Sequence, residues 1–253
     1  MTPQVPFRIF IGFDAREIRA WNVAAASLRN QAREEVDICR LSMHSVPSAW
    51  YSRPTRLLEH GGYWDDISDA PMSTAHAIAR FLVPALCQYR GWALFTDGDV
   101  IFRRDVAKLF ALADPRYAVQ VVQHDYRPAE TVKMDGQAQT QYARKNWSSV
   151  ILFNCGHPAN VALTVDLVNR VPGRDLHRFC WLTDDLVGAL PLEWNWLEGH
   201  SAPTMEPAIV HHTRGVPDMP GYEHIAYADE WYALARQCGY RLQRPPAPRE
   251  GAA

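Results

Sequence analysis

Two aspartates separated by one glycine, Asp97-Gly98-Asp99, lie between two apolar runs in the stretch WALFTDGDVIF. Residues i and i+2 of an extended segment point the same way, so both carboxylates can be presented to one point. Held together they repel, and either one takes a proton or a cation sits between them. Mg2+ and Mn2+ suit oxygen ligands and commonly share them with substrate phosphates. Gly98 would let a ligand approach the backbone closely. Asp-Gly is also ordinary turn chemistry, but an exposed turn does not need apolar flanks on both sides. Two histidines, His211 and His212, end a late apolar run (AIVHHT), and Phe13-Asp14 end the first one (RIFIGF).

The elements that must position these residues follow from periodicity. RIFIGF reads as a buried first strand. The next segment carries Ile18, Trp21, Ala25 and Leu28 on one helical face, and VDICRL alternates as a second strand. Strand, helix, strand argues for a mainly parallel α/β sheet flanked by helices. Residues 42–71 read as a loop with one helical turn. Ser73 or Thr74 is predicted to cap a helix over TAHAIARFLVPALCQY, kinked or restarted at Pro84. WALFT, VIF, YAVQVVQ, SSVILFN and AIVHHT read as strands. VAKLFALA (capped by Asp105), PANVALTVDLVNRV (opened by Pro158), TDDLVGAL and DEWYALARQC (closed by Gly239) read as helices. His124 to Lys145 is polar and aperiodic, a long loop of the kind that is often functional. In open α/β sheets ligands bind beyond the carboxyl ends of the strands, where Asp14, Asp97, Asp99 and His211 all fall.

The 253 residues suit one large domain, expected over residues 1–244, with an aperiodic, disordered tail at 245–253. A net charge of −2 gives no general reason to bind nucleic acid or an anionic membrane. The N-terminus does not read as a signal peptide, and no run is long enough to cross a bilayer, so a cytoplasmic protein without a transmembrane segment is expected. Five scattered cysteines, none in a C-x-x-C pair, fit a reduced chain without a zinc site.

Two enzyme classes use an aspartate pair of this form. In haloacid-dehalogenase-type phosphatases the first aspartate is the nucleophile and the second the acid/base. That reading would use Asp97 and Asp99, with LTDDLV as the later acidic pair and Lys145 as the only candidate lysine, but a strand–helix–strand unit here precedes the pair. In nucleotide-sugar transferases of the GT-A fold, such a unit does precede it. The order of segments resembles glycosyltransferase family 8 and its bacterial relatives, from Arg8 to about Tyr222. STAHAIARFLVPAL…WALFTDGDVIF is similar to the block in which a helical arginine precedes P-x-L and the strand then enters D-x-D.

The resemblance implies a GT-A fold and transfer of a sugar, with retention of configuration, from a nucleotide-diphosphate donor to a hydroxyl acceptor. The donor is expected to be a UDP-sugar, the acceptor a surface glycan, and the cofactor Mn2+ or Mg2+. By the same resemblance Asp97, Asp99 and His211 hold the metal. Gly12, Phe13, Asp14, Arg16, Arg80, Asp97 and Arg214 contact the donor, and Asp185 or Asp184 lies beside the transferred sugar. Trp194, Asn195 and Trp196, from PLEWNW, and Trp147 and Ser148 are assigned to the acceptor. The chain departs from the pattern in NWSSVILFN, where Trp147 and Ser149 replace the usual Asn and Gly. It also lacks the lysine expected after the late histidine, leaving Arg214 as the nearest phosphate contact, and has Asp184-Asp185 for the usual Asp-Gln. These departures leave open a third reading, a nucleotide-sugar-binding protein without transfer activity.

Overall fold

The computed structural model describes residues 6–59, 61–125, 144 and 146–246. Lys145, most of the polar segment before it and the tail from 247 onward lie outside the described residues. The chain opens with β1 (Phe7–Gly12), the helix Ile18–Gln31 and β2 (Val36–Leu41), as the periodicity predicts. Three short strands follow, β3 (Thr55–Leu57), β4 (Tyr63–Asp65) and β5 (Ala70–Met72). Then come β6 (Trp92–Thr96), β7 (Val100–Phe102), β8 (Val119–Val122), β9 (Val150–Asn154), β10 (Val187–Leu190), β11 (Trp196–Leu197) and β12 (Ile209–His211).

The central six-stranded sheet has the order β10-β8-β9-β6-β1-β2. Only β9 runs antiparallel to its neighbours. Its inner strands β6, β8 and β9 are buried on both faces almost throughout, which is why they read as continuous apolar runs, whereas edge strand β2 is half-buried and alternates. Phe10, Ala93, Phe95, Ile151 and Phe153 pack into one core; Ile9, Ile11, Leu94 and Leu152 alternate into the other. A second sheet, β11-β12-β7, lies where β6 leaves the first. The helix Ala228–Gln237 packs on it through Trp231, and Gly239 follows at φ +88°. Among the described residues no helix is long and apolar enough to cross a membrane.

Four expectations need correction. Residues 42–71 are not a plain loop, because β3, β4 and β5 form an antiparallel ribbon there. It is stapled from below by Arg53, which bonds Asp65 Oδ1 at 3.0 Å and the carbonyls of Val168 and Val171 at 2.7 and 2.8 Å. Buried, multiply bonded side chains leave no periodic signal. The helix expected from Thr74 is a 3-10 segment, Ala79–Leu82, followed by a single α-turn, Val83–Leu86; neither Ser73 nor Thr74 caps it. Pro84, lacking an N–H, forces that division. Thr164 caps a separate helix, Val165–Arg170, so the helix expected from Pro158 is split in two. TDDLVGAL is no helix either: after a 3-10 turn at Asp184–Leu186 it becomes edge strand β10. A Cβ on Gly188 would lie 2.5 Å from the Tyr117 ring, so the glycine is there for packing against the sheet.

Candidate metal and donor site

β6 ends at Thr96 and β7 begins at Val100, so Asp97-Gly98-Asp99 is the link between the two sheets. The link is fixed at both ends: Asp97 N donates to Ser149 O at 2.9 Å, and His212 N donates to Asp99 O at 3.0 Å. Antiparallel pairing of β12 with β7 sets His211 opposite Val100, one residue beyond Asp99. One ligand atom each from Asp97, Asp99 and His211 therefore lies within 4.8 Å of the others. His211 Nε2 is 3.3 Å from Asp99 Oδ1 and 3.9 Å from Asp97 Oδ2. His212 faces away and meets the Ala226 carbonyl at 3.3 Å, as opposite strand faces require.

Gly98 has a different reason from the one its sequence suggests. A Cβ there would lie 2.4 Å from the Gly12 carbonyl oxygen, so the glycine lets the end of β1 close against the link. Gly12 in turn leaves room for the His76 ring, which a Cβ would meet at 2.4 Å.

Asp97 divides its two oxygens. Oδ1 is held by Arg80 Nη2 at 2.8 Å and by His76 Nε2 at 3.2 Å, leaving Oδ2 toward His211. Burial alone would push this carboxyl up, but Arg80, the His76 bond and His211 hold it well below the usual carboxylate range. His211 shows the converse. Burial works against its charge, yet Asp99 and Asp97 leave it raised above an ordinary histidine. Asp99 Oδ1 is buried without a hydrogen bond and lies 3.3 Å from His211 Nε2. An orphaned carboxylate oxygen, a second free carboxylate oxygen and an imidazole nitrogen at one point form a donor set that fits Mn2+ or Mg2+.

The other predicted residues fall around this centre in different ways. Asp14 is the N-cap of the turn after β1. It accepts from the backbone N–H of Arg16 at 3.0 Å and of Ala75 at 2.9 Å, and it pairs with the Arg16 guanidinium at 2.7 Å. Burial opposes its charge, and those bonds win, keeping its pKa low. Phe13 packs edge-on against Trp21, with Arg40 over both rings. Arg80 is buried, pairing with Asp97 at 2.8 Å and donating to Ala77 O at 2.9 Å and Ser148 O at 2.7 Å. Arg214 pairs with Glu198 at 2.8 Å.

Trp194 and Trp196 are each 3% exposed, with their rings in the core rather than on an open stacking surface. Asn195 lies behind His211. Trp147 Nε1 donates to His124 O at 2.9 Å, and Ser148 Oγ lies 2.6 Å from His177 Nδ1. Asp184 and Asp185 are exposed, Asp184 pairing with Arg144. Among the described residues neither is bonded to Asp97, Asp99 or His211. Sequence reasoning missed His76, which reads as one more residue of a helical run. It also missed Glu17, half-buried at the start of the first helix and pushed up to about 8 by burial, then by Asp99 and Asp14.

The chain is 42% identical to protein CDI of Arabidopsis thaliana over 231 residues, covering 89% of this chain and 85% of that protein. It belongs to the CDI family. No family model matches the sequence. Among solved structures, the bifunctional glycosyltransferase WbbM superposes with a TM-score of 0.61 at 16% identity, over 93% of this chain. The chain spans about half of WbbM, 50% of its length. The galactosyltransferase LgtC, solved with donor and acceptor sugar analogues, superposes with a TM-score of 0.56 at 15% identity, over 95% of this chain and 98% of LgtC. The CDI-family chain thus has the GT-A glycosyltransferase fold. The relative found by sequence is a plant protein, whereas the sequence motifs suggested bacterial kin.

Proposed function

We propose that this CDI-family chain is a metal-dependent glycosyltransferase that moves a sugar from a nucleoside-diphosphate donor, a UDP-sugar, to a hydroxyl of a glycan acceptor. One observation carries the reading: the ligand atoms of Asp97, Asp99 and His211 lie within 4.8 Å of one another at the junction of two sheets in a GT-A fold. Asp97 Oδ2, Asp99 Oδ1 and His211 Nε2 would hold Mn2+ or Mg2+. When bound, that cation supplies charge opposite the diphosphate leaving group as the sugar–phosphate bond breaks.

The chain's own residues prepare this site. Arg80 and His76 keep Asp97 ionised and direct its free oxygen toward His211. Asp14 and Arg16, locked together at the end of β1, flank the region assigned to base and ribose. Arg214, three residues past His211, is the cation for the phosphates, and Asp185 or Asp184 is the group beside the transferred sugar. The phosphatase alternative would use the same Asp97 Oδ2 as nucleophile; the strand–helix–strand unit that precedes Asp97 favours the transferase.

The test is release of UDP from UDP-glucose, UDP-galactose, UDP-xylose and UDP-N-acetylglucosamine with Mn2+ and with EDTA. Metal-dependent release from at least one donor, lost in Asp99→Asn, is expected. Binding of UDP-sugar without any release, in the presence of glycan acceptors, would favour the non-catalytic binder. Failure to bind any of the four would overturn the reading.

A further inference from the structure

Past the carboxyl end of β2 the surface opens into a cavity of about 450 Å3, lined by none of Asp97, Asp99 and His211. Its size falls in the range of about 300–1,000 Å3 common to small-molecule sites. Met43 and His44 line it just after β2, Thr55 and Leu57 from β3, Tyr63 from β4, and Tyr51 from the segment between. The walls are braced. Asn169, on the helix Val165–Arg170, accepts from Ser52 N at 2.9 Å and donates to Trp50 O at 3.1 Å, so both neighbours of Tyr51 are fixed. Arg53 also lines the cavity, and its charge is compensated by Asp65. Leu57, an apolar side chain, is 72% exposed.

We infer that this cavity is a carbohydrate subsite that holds a sugar unit of the acceptor remote from the reacting hydroxyl, and hence that the acceptor is an oligosaccharide. The acceptor role rests on the transferase reading above; the affinity for a saccharide does not. The lining matches a sugar ring in kind. Tyr51, Tyr63 and His44, the last two with ring centres 6.4 Å apart, supply flat apolar surface for C–H faces. The hydroxyls of Thr55 and the tyrosines can both donate and accept, as sugar hydroxyls do. A nucleobase instead carries a fixed pattern of donors and acceptors, best read by amide, carboxylate or unpaired guanidinium groups. The lining holds no Asn, Gln, Asp or Glu. A phosphate would need an uncompensated cation. Arg53 pairs with Asp65, and Arg16, 5.0 Å from the centre of the Tyr63 ring, pairs with Asp14.

Position makes this a second saccharide rather than the donor's own. β1 pairs with β2 in parallel, Gly12 opposite Leu41, so the cavity lies on the same crest of the sheet as the metal site. In the order β6-β1-β2, two strand spacings, roughly 10 Å, separate the ends of β6 and β2. The Asp14–Arg16 pair stands at the end of β1 between them. The donor's sugar must stay beside its diphosphate at the metal, so a ring beyond Arg16 belongs to another molecule.

The experiment uses the full chain with carbon-13-labelled tyrosine, in EDTA, so that the metal site takes no part. Tyr51→Phe and Tyr63→Phe assign the two resonances. Titration with cellobiose, lactose, maltose and xylobiose should shift both saturably with at least one of them. Leu57→Asp, at an exposed position with no part in the core, should weaken that binding about 10-fold with circular dichroism unchanged. UDP with Mn2+ should not displace the disaccharide. Displacement by UDP would make the cavity a nucleobase site and overturn the inference. Absence of binding by all four disaccharides, or undiminished binding in Leu57→Asp, would overturn it as well. With an oligosaccharide acceptor that is turned over, Leu57→Asp should raise KM and leave kcat little changed; an unchanged KM would remove the acceptor role. Disaccharide binding at Tyr51 and Tyr63 without UDP release from any donor would strike the transferase reading and leave the subsite standing.

Discussion

Replacing Arg80 by methionine keeps most of the stem that packs near Phe95, where the guanidinium carbon lies 4.7 Å from the ring centre. It removes the charge, the ion pair with Asp97 at 2.8 Å and two hydrogen bonds, at 2.9 Å to Ala77 O and 2.7 Å to Ser148 O. Arg80 is 5% exposed, so little water can replace it. Removing one partner of a buried pair typically costs about 3–5 kcal/mol, because the other charge is stranded. For a chain of this size each kcal/mol shifts Tm by about 2–4 °C, so a fall on the order of 10 °C is expected. The pH dependence separates charge from packing. Arg80 helps hold the folded pKa of Asp97 below its unfolded value, so this stabilisation is present above about pH 4 and is lost as pH falls below it. In Arg80→Met, burial acts on Asp97 with less opposition, the carboxyl takes a proton more readily, and the penalty shrinks in acid. The stability gap between wild type and variant, from urea unfolding at pH 7 and pH 3.5, should therefore narrow at the lower pH. A Tm fall under about 2 °C, or a gap independent of pH, would refute this reasoning.

Three further outcomes follow from the same geometry. Gly98→Ala should lower stability by about 1–3 kcal/mol in thermal unfolding and weaken Mn2+ binding, since its Cβ would lie 2.4 Å from a backbone oxygen that can yield only by moving the link. His212, pushed down to about 4 by burial, is neutral when folded; its contribution is full above about pH 6.5 and is lost as pH falls toward 4. His212→Gln should flatten urea-measured stability across that window, and an unchanged slope would count against a buried neutral imidazole. His211 is raised by Asp99 and Asp97 against the effect of burial, so cation binding at Nε2 must expel its proton near neutral pH. Calorimetric enthalpies of Mn2+ binding should then differ between phosphate and Tris by the buffers' own ionisation heats; equal enthalpies would argue against His211 as a ligand.

The parts of this site that were legible in the sequence are those written along one segment. WALFT and VIF marked the two strands around Asp97 and Asp99, and AIVHHT marked the strand that carries His211. Strand parity even separated His211 from His212. The parts that were hidden depend on contacts between distant segments. Nothing in TAHAIA suggests that His76 lies between Gly12 and Asp97. Likewise the contacts of Arg80 with Asp97, Ala77 O and Ser148 O cannot be read from an arginine that merely precedes P-x-L. The tryptophans of EWNW suggested a sugar platform, whereas burial turned their rings inward and left Asn195 to bond His211. The ribbon of β3, β4 and β5 went unread for a similar reason: its strands are three residues long, and its staple, Arg53, reaches Asp65, Val168 and Val171.

The most direct test of the central claim is calorimetric titration of UDP-sugar into the protein with and without Mn2+, for wild type, Asp97→Ala, Asp99→Ala, His211→Ala and His212→Ala. The account predicts metal-dependent binding in wild type and in His212→Ala, and its loss in the other three while each remains folded by circular dichroism. Binding of equal strength without metal, or its survival in Asp97→Ala and Asp99→Ala, would contradict the account.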